Sequence, residues 1–328
     1  MTDGAPPRRR TRRPSIAAPA LHEVLVPLVV LVGGLGIAFP GAARTLRPEV
    51  PAMLAGQVLG VAMTIPVGEL TPVLRRPKVL VAALAVQWTT QPLLGLGLLH
   101  LVGGNRIGQG TFITAAAPAE ITSALVAVVA GGAAATAATL MTMSVAVGCV
   151  LTPLWLLLLQ HGHVEPSVLV PELALSVALP LAVGVALRSR APVLASHSRR
   201  CLDLAGLSLL LVLFVGAGYA RPLFETAGLG EAVLLALVLG AVGAATAWVF
   251  TARAPGPVSR RVSLAFPIGM REFGIATAVA LIVAPQAAGF GGLYGVIMMT
   301  LAAATATALR RRLGRQAPQG DQPEGLAR

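Results

Sequence analysis

Apolar residues run through this chain in stretches of about twenty, separated by short breaks in which charged residues, Gly and Pro collect. Runs of that length match the roughly 20 residues a helix needs to cross a hydrocarbon core. No segment alternates between apolar and polar positions as the strands of an outer-membrane barrel do. The runs fall at about 22–40, 50–69, 79–102, 109–130, 134–160, 167–187, 203–220, 229–252, 262–285 and 289–309. The pattern predicts an all-α integral membrane protein of about ten transmembrane helices.

Composition points the same way. Of 328 residues, 55% are hydrophobic and only 12% charged, against roughly 25% charged in an average soluble chain. The mean hydropathy is +0.80. Aromatic residues make up only 4%, which also argues against a barrel with aromatic girdles.

The net charge of +12 would suggest nucleic acid if it lay on one soluble face, but its placement follows the predicted loops. Arg8, Arg9, Arg10, Arg12 and Arg13 precede the first run, Arg75, Arg76 and Lys78 follow the second, and Arg188, Arg190, Arg199 and Arg200 follow the sixth. Arg253, Arg260 and Arg261 follow the eighth, and Arg310, Arg311, Arg312, Arg315 and Arg328 follow the tenth. These twenty share one side, whereas the other side holds Arg44, Arg47, Arg106 and Arg221. By the positive-inside rule both termini are expected in the cytoplasm, in a multi-pass protein of the cell (inner or plasma) membrane. Residues 1–43 also have the shape of a signal peptide, with small residues at Gly41–Ala43. The apolar run is long enough to span, however, and the basic tail fits a retained cytoplasmic end. Cys149 and Cys201 read as packing residues rather than a disulfide.

The expected organisation is a basic tail at 1–20, one five-helix repeat at 21–160, a second at 161–312 and a C-terminal tail at 313–328. Five helices reverse the direction of entry, so homologous halves form an inverted repeat.

Three ionisable residues lie far from any predicted interface: Glu120, Arg271 and Glu272; Glu69 sits near a helix end. A charge at the bilayer centre costs about 2.5 kcal/mol or more, so these residues either form a structural salt bridge or line a substrate or ion pathway. All three fall in two segments at corresponding positions of the halves. These are Ala117-Pro118-Ala119-Glu120-Ile121-Thr122-Ser123 and Phe266-Pro267-Ile268-Gly269-Met270-Arg271-Glu272-Phe273-Gly274. Proline removes a backbone donor and clashes with the carbonyl four residues back, so Pro118, Pro267 and Gly269 are expected to break both helices. Irregular backbone at that depth is tolerated where it is buried in protein or lines a cavity. Paired broken helices point to the binding site of a secondary transporter.

A channel, a membrane-embedded enzyme and a non-transporting sensor are the readings from other classes. Nothing resembles a selectivity-filter loop, a P-loop, a metal cluster or a nucleophile with its base. His161 and His163 read as an exposed turn, and His22, His100 and His197 read as lying near span ends or in a loop. No catalytic residue, metal or cofactor is expected beyond a coupling ion, Na+ or H+. The oligomeric state stays open.

Val73-Leu74-Arg75-Arg76-Pro77-Lys78, followed by Gln87-Trp88 and Gln91-Pro92-Leu93, resembles the second-to-third helix region of the bile acid:sodium symporter family. So do Phe39-Pro40, Leu151-Thr152-Pro153-Leu154 and Ile268-Gly269-Met270. The resemblance implies a panel domain (spans 1, 2, 6 and 7) beside a core domain (spans 3, 4, 5, 8, 9 and 10) in which broken helices 4 and 9 cross. It also implies sodium-driven movement of organic anions by alternating access. Gln87 and Ser123 match family sodium ligands. The other ligand positions fall on Ala124, on about Ala137 and Met141, on Pro267 and on Arg271. The expected binding set is therefore Gln87, Glu120, Thr122, Ser123, Arg271 and Glu272, with a small organic anion as substrate. Arg271 is read as a fixed cation partnered by Glu120 or Glu272, one of which carries a proton. An arsenite-permease-like exporter ranks lower, because that group uses a Cys in the fourth span and Cys149 lies in the fifth.

Overall fold

The computed structural model describes residues 21–64, 77–159, 166–190, 197–224 and 228–316. The tails, Glu69, Arg75, Arg76, His161 and His163 lie outside the described residues. Among the described residues the regular structure is helical, and the one β-type pairing joins Ala119 to Arg271.

In chain order the helices are α1 (Leu21–Ala38), α2 (Pro40–Thr45), α3 (Val50–Ala62), α4 (Pro77–Leu101), α5 (Arg106–Ala115), α6 (Ser123–Val129) and α7 (Ala134–Leu159). There follow α8 (Pro166–Leu173) and α9 (Leu179–Arg190), joined by a wide helical turn at Ala174–Ala178, then α10 (Ser198–Phe224) and α11 (Gly228–Arg253). The last three are α12 (Val258–Gly269), α13 (Phe273–Val283) and α14 (Ala288–Gln316). Among the described residues, six helical stretches are long and apolar enough to cross a bilayer: Pro77–Leu101, Ala134–Leu157, Ser167–Arg190, Arg200–Phe224, Gly228–Arg253 and Pro285–Arg312. Pro27–Ala38 and Phe273–Val283 are shorter apolar helices. The protein is thus a multi-pass membrane protein.

Local chemistry sets the ends of these elements. Gly103 and Gly104 adopt φ of +67° and +71°, and the Gly104 amide closes α4 by donating to the Leu99 carbonyl at 2.9 Å, a left-handed helix stop that favours glycine. Asn105 then caps α5, its side-chain oxygen accepting from the Ile107 and Gly108 amides at 2.9 Å each. The Asn105 side chain also donates from Nδ2 to Glu231 Oε1 at 2.8 Å, fastening the start of α5 to the start of α11.

α10 is the hub, packed against α1, α3 and α14. α3 also lies on α9, α11 lies on α12, and α6, α7 and α12 pack on one another. Small residues permit close approach, as is usual where lipid supplies no hydrophobic drive between helices. A side chain at Gly292 of α14 would meet the Gly216 backbone of α10 at 2.5 Å. Large apolar residues face outward instead: Trp248 is 72% exposed and Val150 is 68% exposed, as suits a lipid-facing belt.

The predicted runs at 109–130 and 262–285 are each two short helices separated by extended chain. The first break covers Ala116 to Thr122 and contains Pro118 as expected. The second corrects the sequence reading. Pro267 lies inside α12, the helix continues to Gly269, and the chain becomes extended only at Met270 (φ −99°, ψ 138°). That position coincides with the backbone pairing between the two breaks rather than with the proline.

Candidate functional site

The two breaks cross as antiparallel extended chain. The Glu120 amide donates to the Met270 carbonyl at 3.2 Å, and the Glu272 amide donates to the Pro118 carbonyl at 3.0 Å. Successive side chains of extended backbone point to opposite faces. Ala119 and Arg271, which are paired, therefore share one face, while Glu120 and Glu272 share the other. This alternation separates the three charges that the sequence places together.

On its face, the Arg271 guanidinium donates from Nη1 to the Ala117 carbonyl at 2.9 Å and from Nη2 to the Gln87 carbonyl at 2.6 Å. Arg271 is fully buried, and its Nε has no protein partner. Among the described residues no carboxylate forms an ion pair with it, so the expected pairing with Glu120 or Glu272 is corrected: the pleat directs both glutamates away. Gln87 braces the same face, donating from Nε2 to the Pro267 carbonyl at 2.8 Å. The prolyl carbonyl thus joins the site although the ring does not break the helix.

On the opposite face, Glu272 caps α13 by accepting from the Gly274 amide at 3.0 Å. Its other oxygen accepts from the Ile121 amide in the first break at 2.9 Å. Glu120 Oε1 accepts from the Thr122 amide at 3.2 Å and from the Thr122 hydroxyl at 3.0 Å. The side chains of Glu120 and Glu272 are in contact, and both residues are fully buried. Ser123 opens α6 beside them, its hydroxyl without a protein partner, as is Glu120 Oε2.

Neutral polar residues that the charge census could not single out complete the site. Ser144 of α7 accepts from the Ala119 amide at 2.9 Å, and the Thr152 hydroxyl donates to the Ala116 carbonyl at 2.8 Å. Together they hold the first break open. Gln57 reaches in from α3, with Nε2 at 3.5 Å from Glu272 Oε1. The Tyr294 hydroxyl of α14 is buried within electrostatic reach of both Arg271 and Glu120 and, like Thr277 Oγ1, has no protein partner. A cavity of about 330 Å³ lies between α3, α8 and α13, with Arg47, Glu172 and Ser176 among its walls. Leu54 lines this cavity and also faces Gly274 at the crossover. Among the described residues no cluster of His, Cys, Asp and Glu is arranged to hold a metal.

Residues 51–221, just over half of the chain, match the Sodium Bile acid symporter family. The chain belongs to that family. The match includes the first break and ends at Arg221, whereas Arg271 and Glu272 lie beyond it. No curated protein matches the sequence. As a member of the symporter family the chain is a secondary transporter and not an enzyme.

Proposed function

We propose that this protein carries a small organic anion by alternating access without the family's sodium coupling. In this reading Arg271 serves as a built-in cation, and Glu120 and Glu272 together carry a proton. The observation that carries the proposal is the seat of the guanidinium, which donates to two main-chain oxygens, of Ala117 and Gln87. The Ala117 oxygen lies in the first break and the Gln87 oxygen in the interior of α4; carbonyl oxygens are hard ligands of the kind a sodium ion takes, and here a side-chain cation uses both. The family's remaining ligand positions fall on Ala124, Ala137, Met141 and Pro267, none of which offers a side-chain oxygen. Gln87 and Ser123 remain, and with Thr122 they are read as polar contacts of the solute or proton path.

The glutamate pair supports proton carriage. Two carboxylates in contact repel strongly when both are ionised, and a carboxyl–carboxyl contact is relieved by one proton between them. The 330 Å³ cavity offers a route for the solute, with Leu54 between it and the crossover.

The wider architecture fits the same reading. α1, α3, α8, α9 and α10 form the panel, and α4 to α7 with α11 to α14 form the core. The antiparallel crossing supports inverted repeats at 21–160 and 161–312, and the basic side, with both termini, is cytoplasmic. The test is uptake of organic acids into proteoliposomes in sodium-free buffer, with and without an acid-outside pH gradient. Uptake is expected to persist without sodium and to rise with the gradient. Uptake abolished by sodium removal overturns the proposal.

A further inference from the structure

A second cavity, of about 750 Å³, lies between α4 and α11. It is bounded along α4 from Lys78 to Thr90 and along α11 from Val242 to Arg253. At 1.5 Å per residue these edges are about 18 and about 17 Å long, close to half of a hydrocarbon core of about 30 Å. The groove is thus one leaflet deep. Its walls are almost wholly apolar, and Ala82 and Ala245 are exposed in it.

Its charge is concentrated at one end. Lys78 begins α4 and Arg253 ends the antiparallel α11, so both cations sit at the same mouth. Arg253 donates from Nη1 to the Val249 carbonyl of its own helix at 3.1 Å. Among the described residues no carboxylate pairs with either cation. Arg260 donates to the Pro255 carbonyl at 3.1 Å, and Pro255 is part of the groove wall, which places a third cation beside the mouth. A slot one acyl chain deep with a cationic mouth is complementary to one kind of molecule. We propose that this groove is a binding site for an anionic phospholipid of the leaflet on the basic side, with the headgroup phosphate between Lys78 and Arg253 and an acyl chain along Ala82 and Ala245. Basic pockets between transmembrane helices at that interface suit anionic headgroups.

The test uses the full chain in neutral detergent, titrated with phosphatidylglycerol, phosphatidylcholine or inorganic phosphate, with bound lipid counted by native mass spectrometry. Phosphatidylglycerol is expected to bind about thirtyfold more tightly than phosphatidylcholine, the value of two cations near a headgroup. Inorganic phosphate alone is expected to leave lipid occupancy unchanged. K78Q/R253Q should abolish the preference, whereas K78R/R253K should keep it. A245L, which fills the slot, should weaken both lipids. Retained preference in K78Q/R253Q overturns the proposal, as does displacement of lipid by phosphate alone or a shift from dimer to monomer in A245L, which would make the groove a contact between copies.

Discussion

Replacing Arg271 by Gln tests the built-in cation directly. The wild-type guanidinium makes two bonds, of 2.9 and 2.6 Å, to the carbonyls of Ala117 and Gln87. A hydrogen bond to a charged group contributes about 1.5–3 kcal/mol, and leaving a buried acceptor unmet costs about 1–3 kcal/mol. Relief of guanidinium desolvation works in the opposite direction. It does not win here, because Ala117 and Gln87 are both fully buried and solvent cannot take over their carbonyls. The Gln amide can restore one bond but lacks the fork needed for two, so the expected loss is about 2–5 kcal/mol. At about 2–4 °C per kcal/mol, thermal unfolding in detergent should begin about 4–20 °C earlier. Arg271→Lys should fall between, since an ammonium keeps the charge without the planar fork. Sodium should leave the wild-type melting temperature unchanged. A fall below about 2 °C in Arg271→Gln, or sodium stabilisation of the wild type, refutes the reasoning.

Glu272→Gln removes one of the acceptors now serving Ile121 and Gly274; uptake driven by an acid-outside gradient should drop at least about tenfold, equivalent to about 1.4 kcal/mol, while uptake without a gradient changes less. Gln57→Leu cuts the contact from α3 to Glu272; ligand binding measured by thermal shift should persist while the transport rate in proteoliposomes falls. Gly292→Leu forces apart α10 and α14, whose backbones leave no room for a side chain; folded yield in size-exclusion chromatography should collapse, whereas Gly97→Leu, with open space around it, should fold normally. Asn105→Ala removes the cap of α5 and its bond to Glu231; a loss of about 1–2 kcal/mol is expected, read as an earlier thermal transition.

The membrane class, the helical runs and the three buried charges were legible because each leaves a mark in composition: a charge in an apolar run is conspicuous against its neighbours. The separation of Arg271 from both glutamates was not legible, since it depends on a short extended crossing that reverses side-chain faces residue by residue. Read as helix, Arg271 and Glu272 would simply be neighbours. The position of the second break was hidden for a related reason: Pro267 announces an interruption, but the pairing with the first break sets it at Met270. Gln57, Ser144 and Tyr294 carry no net charge, and polar residues of their types also occur along lipid-facing helices. Only the fold distinguishes the ones that meet at the crossover.

The tether between Arg271 and the chain has an electrical consequence. A dissociable cation that enters with its cargo adds its charge to the current of each cycle, but a guanidinium bonded into the protein returns with the carrier and adds nothing. Movement of a monovalent anion alone would then transfer one negative charge per turnover, against or along a potential worth about 2.3 kcal/mol per 100 mV. One proton taken up at Glu120 and Glu272 makes that turnover electroneutral. A clamped membrane with the protein reconstituted should therefore register little current when both gradients are present, and a negative-inside potential by itself should drive no net movement of the anion.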